Sequence, residues 1–194
     1  SGIVGTGSTQ AASSCSKRAL AYNWGGLCSR YLSLVLIEED RLAEEAIAER
    51  VTETLVEREL TLGTVECGVG GIVSRRLFAT EQGVSALGNS LILDDVGEAI
   101  GLMALPRPQF KKAGDFSAKA ARAAAREGRG FLGVNLCLAV WAKALVTEDE
   151  AQIVYVALNT GREVIDEAYE VGGDTGHDAD WLVDRALEML WGAL

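Results

Sequence analysis

The stretch Glu66-Cys67-Gly68-Val69-Gly70-Gly71 puts a carboxylate, a thiol and three glycines into one short turn. A strand predicted over Leu60–Val65 leads into it, and a helix predicted over Ile72–Ala79 leaves it. Such a junction offers backbone N–H groups to an anion, and a thiol at the start of a helix can have its thiolate stabilised by the helix dipole. Cys67 is therefore a candidate nucleophile. The same turn also reads as a tight connection in which the cysteine fills a small apolar gap.

Other residues with reactive side chains are sparse. The chain has one histidine, His177, so a Ser–His or Cys–His dyad would depend on it alone. It stands in a Gly/Asp loop that reads as exposed, and no spacing around it marks a metal ligand. Four cysteines, Cys15, Cys28, Cys67 and Cys137, form no CxxC pair. Neither a zinc site nor a disulfide framework is indicated, and a reducing, cytoplasmic setting is the simpler expectation. No cofactor and no metal are expected. Gly2 to Thr9 follows the spacing of a phosphate loop, but Ser8 stands where that loop needs lysine. Arg107, Lys111, Lys112, Lys119, Arg122, Arg126 and Arg129 face only Asp115 and Glu127 in the same stretch, a local net of +5. Such a run focuses a phosphate-bearing ligand or acidic partner, or simply solvates a helix face.

These residues sit in a chain of 194 residues, 48% apolar and 24% charged, which fits one ordinary globular domain. A net charge of −10 argues against broad adhesion to nucleic acid or an anionic membrane. Residues 1–36 hold three bases and no acid, whereas residues 37–60 hold nine acids and three bases. The shift marks an amino-terminal extension over 1–36 and an α/β domain over 37–194. Leu32 to Leu36 is too short to span a bilayer, and no other membrane segment is expected. Trp24 lies in the unassigned extension.

Within the domain, Ile47, Val51 and Leu55 recur every fourth residue in an amphipathic helix over Glu38–Glu59. A second strand is expected at Ser90–Leu93, then a short helix over Val96–Ala104. An Ala-rich helix capped by Asp115 or Ser117 is expected to end near Gly128 and Gly130. The apolar run Phe131–Trp141 reads as a strand buried on both faces. Gln152–Leu158 and Glu163–Val171 flank Asn159-Thr160-Gly161-Arg162 as a hairpin. A last helix starts at Asp178 or Asp180, with Leu182, Ala186, Met189 and Leu190 inward. Trp141, Trp181 and Trp191 fall in apolar patterns and read as packing residues. The sum is α/β, with helices on both sides of one mixed sheet.

Taken in order, these features resemble the CinA carboxy-terminal domain family, whose stand-alone members are nicotinamide-nucleotide amidases. The resemblance covers Leu42 to Leu194. The family's Glu-Ser-Cys-Thr-Gly-Gly turn is matched by Glu66 to Gly71, and its Gly-Ser-Ser-Ala segment by Gly83-Val84-Ser85-Ala86. Its Tyr-Ser-Asn-Glu-Ala-Lys motif falls on Asp95-Val96-Gly97-Glu98-Ala99-Ile100, and its Gly-Ala-Val-Ser-Glu helix start on Gly114 to Ala118. The resemblance implies a three-layer α/β/α fold, a homo-oligomer and a nucleotide-like ligand held by Glu66, Gly68, Val69, Gly70, Gly71, Asp95 and Glu98.

The departures fall where the family keeps its chemistry. Its nucleophilic serine and the tyrosine and lysine that activate it are matched by Cys67, Asp95 and Ile100. Isoleucine moves no proton, and an aspartate raises a neighbouring thiol's pKa. The family's Gly-Ile-Ala-Gly-Pro loop is replaced by Trp141 to Leu145, and its phosphate-facing arginine by Thr175. The favoured expectation is a divergent, non-catalytic relative that binds a nucleotide-like ligand or a protein partner. The alternative is an amidohydrolase converting nicotinamide mononucleotide to nicotinate mononucleotide and ammonia. There Cys67 attacks the carboxamide, the N–H groups of Val69 to Gly71 hold the oxyanion, and Lys143 serves as base. A further option has residues 1–36, with Arg18 and Arg30, reaching to another subunit.

Overall fold

The computed structural model describes residues 47–107, 110, 114–143, 150–175 and 177–194. The extension 1–36, with Ser8, Arg18, Trp24 and Arg30, lies outside the described residues, as do Lys111, Lys112, Ala144 and Leu145. The first helix, α1, is described over 47–57. It is followed by β1 (Leu62–Cys67), α2 (Ile72–Phe78), the one-turn α3 (Gly83–Ala86), β2 (Leu87–Leu93) and α4 (Val96–Leu102). Then come α5 (Ala118–Leu132), β3 (Leu136–Trp141), β4 (Gln152–Asn159), β5 (Val164–Val171) and α6 (Ala179–Ala193).

The strands form one five-stranded sheet in the order β2-β1-β3-β4-β5. β1 runs parallel to both β2 and β3, while β3–β4 and β4–β5 are antiparallel. Parallel neighbours need crossovers, which here contain helices: α2 and α3 join β1 to β2, and α4 and α5 join β2 to β3.

Alternation along the strands builds a core on each face of this sheet. Leu62 of β1 and Leu136, Leu138 and Val140 of β3 pack with Val51 and Leu55 of α1, Val73 and Leu77 of α2, and Leu182, Leu187 and Leu190 of α6. Val65 and Cys67, with Cys137, Ala139 and Trp141, pack on the other face against Val96 and Ala99 of α4 and the alanines of α5. This is a three-layer α/β/α sandwich with one mixed sheet.

Several boundaries differ from the sequence expectation, each for a local reason. Gly128 does not end α5; a Cβ there would lie 2.7 Å from Val65 Cγ2, so glycine lets the helix sit directly on the sheet. The helix closes at Gly133, with φ 68. Phe131 and Leu132 therefore belong to α5, and the buried strand starts at Leu136. β2 begins at Leu87, ahead of Ser90, because one extra residue is accommodated between the pairs Leu62–Leu87 and Thr64–Ser90. That bulge reverses the facing of the strand: Leu87 packs with α1 and α2, Leu93 with α4. In α6, Asp178 caps the helix through the Trp181 N–H, and Val183 and Leu187 join Leu182, Ala186 and Leu190 inside while Met189 is half-buried.

Candidate functional site

The turn after β1 lies at the carboxyl ends of three parallel strands, where open α/β sheets place their ligands. Gly68, Gly70 and Gly71 all adopt left-handed φ, at 73, 67 and 74°. The Gly68 N–H donates to Leu93 O at 2.9 Å, and Cys67 O accepts from the Ala142 N–H at 3.0 Å. Both neighbouring strands are thus stitched to the turn. A Cβ on Gly68 would lie 2.2 Å from Ala142 O and one on Gly71 2.5 Å from Ile92 Cδ1, whereas Gly70 has open space beside it. The N–H groups of Val69, Gly70 and Gly71 make no backbone hydrogen bond to other described residues.

Alternation sends Glu66 and Cys67 to opposite faces, and the carboxylate, not the thiol, takes the start of α2. Glu66 is fully buried. Its Oε2 accepts from the Val73 N–H at 3.1 Å and its Oε1 from the Ser74 N–H at 2.8 Å and the Ser74 hydroxyl. Gly71, the residue preceding α2, offers no side-chain cap, so a strand residue supplies the anion that the helix N-terminus favours. Thr64 Oγ1 lies 2.6 Å from Ser74 Oγ and 2.8 Å from Ser90 Oγ, extending the network across β1 and β2. Sequence reading missed Thr64, Ser74 and Ser90. The signal available was a polar pair at alternate positions of an otherwise apolar strand, which demands buried partners.

Cys67 is fully buried on the other face, among Val65, Leu93 and Val96. Burial pushes its thiol up to about 12, and the charges of Asp95, Asp94 and Glu98 push the same way. The helix dipole does not activate this thiol, contrary to the expectation from the turn alone. The charges of Asp95 and Glu98 reach Cys67; Asp95 caps α4 by accepting from the Glu98 N–H at 3.2 Å, and both are exposed. Ile100 packs half-buried against the α4/α5 core. Lys143 follows β3 with an exposed side chain, and no cation among the described residues acts on Cys67.

The remaining candidates have packing partners. His177 is half-buried, not exposed as its loop implied: its ring stacks on Trp181 at 3.7 Å and its Nδ1 lies 3.0 Å from Glu170 O. Trp141 is fully buried, and its Nε1–H donates to Asp115 O at 2.8 Å. Trp191 is 36% exposed, with the Arg50 guanidinium 4.3 Å over its ring. In the basic stretch, Arg122 pairs with Asp166, while Lys119 and Arg126 are exposed. Among the described residues, no group of three or more His, Cys, Asp or Glu side chains could hold a metal ion. No helix of the described residues is long and apolar enough to cross a membrane.

No protein-family model matches the sequence, and no curated protein matches it. Solved structures do. The competence or damage-inducible protein from Enterobacter asburiae superposes with a TM-score of 0.68, covering 78% of this chain and 98% of its own at 16% identity. The competence/damage inducible protein CihA from Agrobacterium tumefaciens gives 0.68, covering 77% and 94% at 20% identity. This chain has a CinA-like fold. A CinA superfamily protein from Escherichia coli matches at a TM-score of 0.62, covering 77% and 87% at 14% identity. At these identities the CinA-like architecture is shared, and function has to be argued from the residues of the β1–α2 turn.

Proposed function

We propose that this CinA-like protein is a non-hydrolytic binding protein whose turn at residues 66–71 receives a ligand or partner without attacking it. The supporting observation is the state of Cys67: buried, pushed up to about 12, and acted on by three carboxylates and no described cation. A nucleophilic thiol needs the opposite surroundings, a nearby cation or base that stabilises the thiolate. The N–H groups of Val69 to Gly71, without a hydrogen-bond partner among the described residues, still offer donors to a carbonyl or anionic oxygen. Of the two ligand classes the sequence leaves open, the exposed carboxylates of Asp94, Asp95 and Glu98 favour a protein partner bearing basic side chains over a phosphate-bearing nucleotide. Cys67 and Cys137 are free thiols, which fits a reducing, cytoplasmic setting, and the resemblance supports a homo-oligomer.

The N–H donors of the turn also favour the second reading, hydrolysis of nicotinamide mononucleotide by Cys67 with Lys143 as base. Ammonia release from nicotinamide mononucleotide, measured for the native chain and C67A, separates the two. Equal, background rates in both are expected. Turnover that vanishes in C67A would overturn the non-hydrolytic reading.

A further inference from the structure

The other end of the sheet, away from Cys67, carries a cleft of about 470 Å³. Its walls come from the segment after α1, the start of β3, the β4–β5 turn and the last residues of α6. Arg58, Arg129 and Arg162 line it, against one side-chain carboxylate, Glu163. A surplus of cations is gathered there in a chain whose net charge is −10. None of the three arginines forms an ion pair with a carboxylate of another described residue.

Built features place the Arg129 guanidinium and the backbone that bears Arg162. Arg129 Nε–H donates to Asn135 O at 2.7 Å. Its guanidinium lies across Gly161, where a Cβ would come within 2.9 Å of Nη2. Gly161 holds φ 83, and its N–H donates to Asn159 Oδ1 at 2.8 Å, while the Arg162 N–H donates to Thr160 Oγ1 at 3.4 Å. The hairpin turn therefore fixes the backbone that bears Arg162 and leaves room for Arg129. Cations are also favoured where helices end, and α1, α5 and α6 all end at this cleft. That explains Arg58. It does not explain Arg162, which stands on a hairpin, or the bond from Arg129 to a carbonyl outside α5.

We propose that this cleft binds a small phosphate-bearing anion. Planar guanidinium groups match phosphate oxygens two at a time, Arg129 is held in place for this, and a cleft of this volume suits a small molecule. The site is independent of Cys67. Calorimetric titration of the full chain with inorganic phosphate and with pyrophosphate, at constant ionic strength, tests it. Saturable binding of either anion is expected, weakened at least about ten-fold in R58Q/R162Q, whose two exposed positions leave the circular dichroism unchanged. The absence of saturable binding, or equal affinity in the double variant, would overturn the proposal. A lowered Tm as the sole effect of the double substitution would assign the arginines to the helix ends instead.

Discussion

Glu66 and Cys67 are covalent neighbours with opposite fates, because successive side chains of β1 point to opposite faces of the sheet. The carboxylate meets the N-terminus of α2 and finds three donors, while the thiol meets an apolar layer with carboxylates at its edge. Replacing Glu66 by alanine strands the Val73 and Ser74 N–H groups in a buried site, and a loss of about 2–4 kcal/mol is expected from urea denaturation. Ser74→Ala, which keeps the carboxylate and both N–H bonds, is expected to cost about 1 kcal/mol. A cost for Glu66→Ala below that of Ser74→Ala would contradict the capping role. The types of these residues were legible in the sequence. Their directions were harder to read, because the turn draws attention to the thiol nearest the helix, whereas strand period hands that helix to the preceding residue.

At the scale of elements, the glycines of the β1–α2 turn do unequal work. Gly68 combines left-handed φ with a backbone oxygen 2.2 Å from where a Cβ would stand, whereas Gly70 has the φ alone. Gly70→Ala is expected to cost about 1 kcal/mol and Gly68→Ala about 3 kcal/mol or more, because the ends of β1 and β3 must part. Thermal melts of both variants check the order, and equal losses would mean that the β3 end yields freely. The sequence located nearly every element through apolar periodicity, yet it misplaced the end of α5. Glycine was read there as a helix breaker, while Gly128 is a contact surface that brings the helix onto Val65 and Cys137. The β2 bulge was illegible for a related reason: Gly88-Asn89 looks like a turn, and its pairing with β1 is a non-local fact.

Across the described residues, two cores clamp one mixed sheet, and the polar groups of interest lie at its two ends: the acid-rimmed turn at one, the arginine cleft at the other. The fold class was legible because helix and strand patterns alternate in order along the chain. The raised thiol of Cys67 was foreshadowed by Asp95, but the strength of the effect came from burial, which a sequence does not print. Burial also has a global consequence. The Cys67 thiol is raised from 9.0 to about 12, so the native state holds its proton more tightly than the unfolded chain. The stability this contributes is complete below pH 9.0 and is lost as pH rises towards about 12. The most direct test is the ionisation of Cys67 itself, followed through its ¹³Cβ resonance from neutral pH upward in the native chain, with C67S to assign the signal. No titration is expected until pH approaches about 12 or the chain unfolds; a midpoint below the ordinary 9.0 would contradict the account, since it requires a cation at the sulfur.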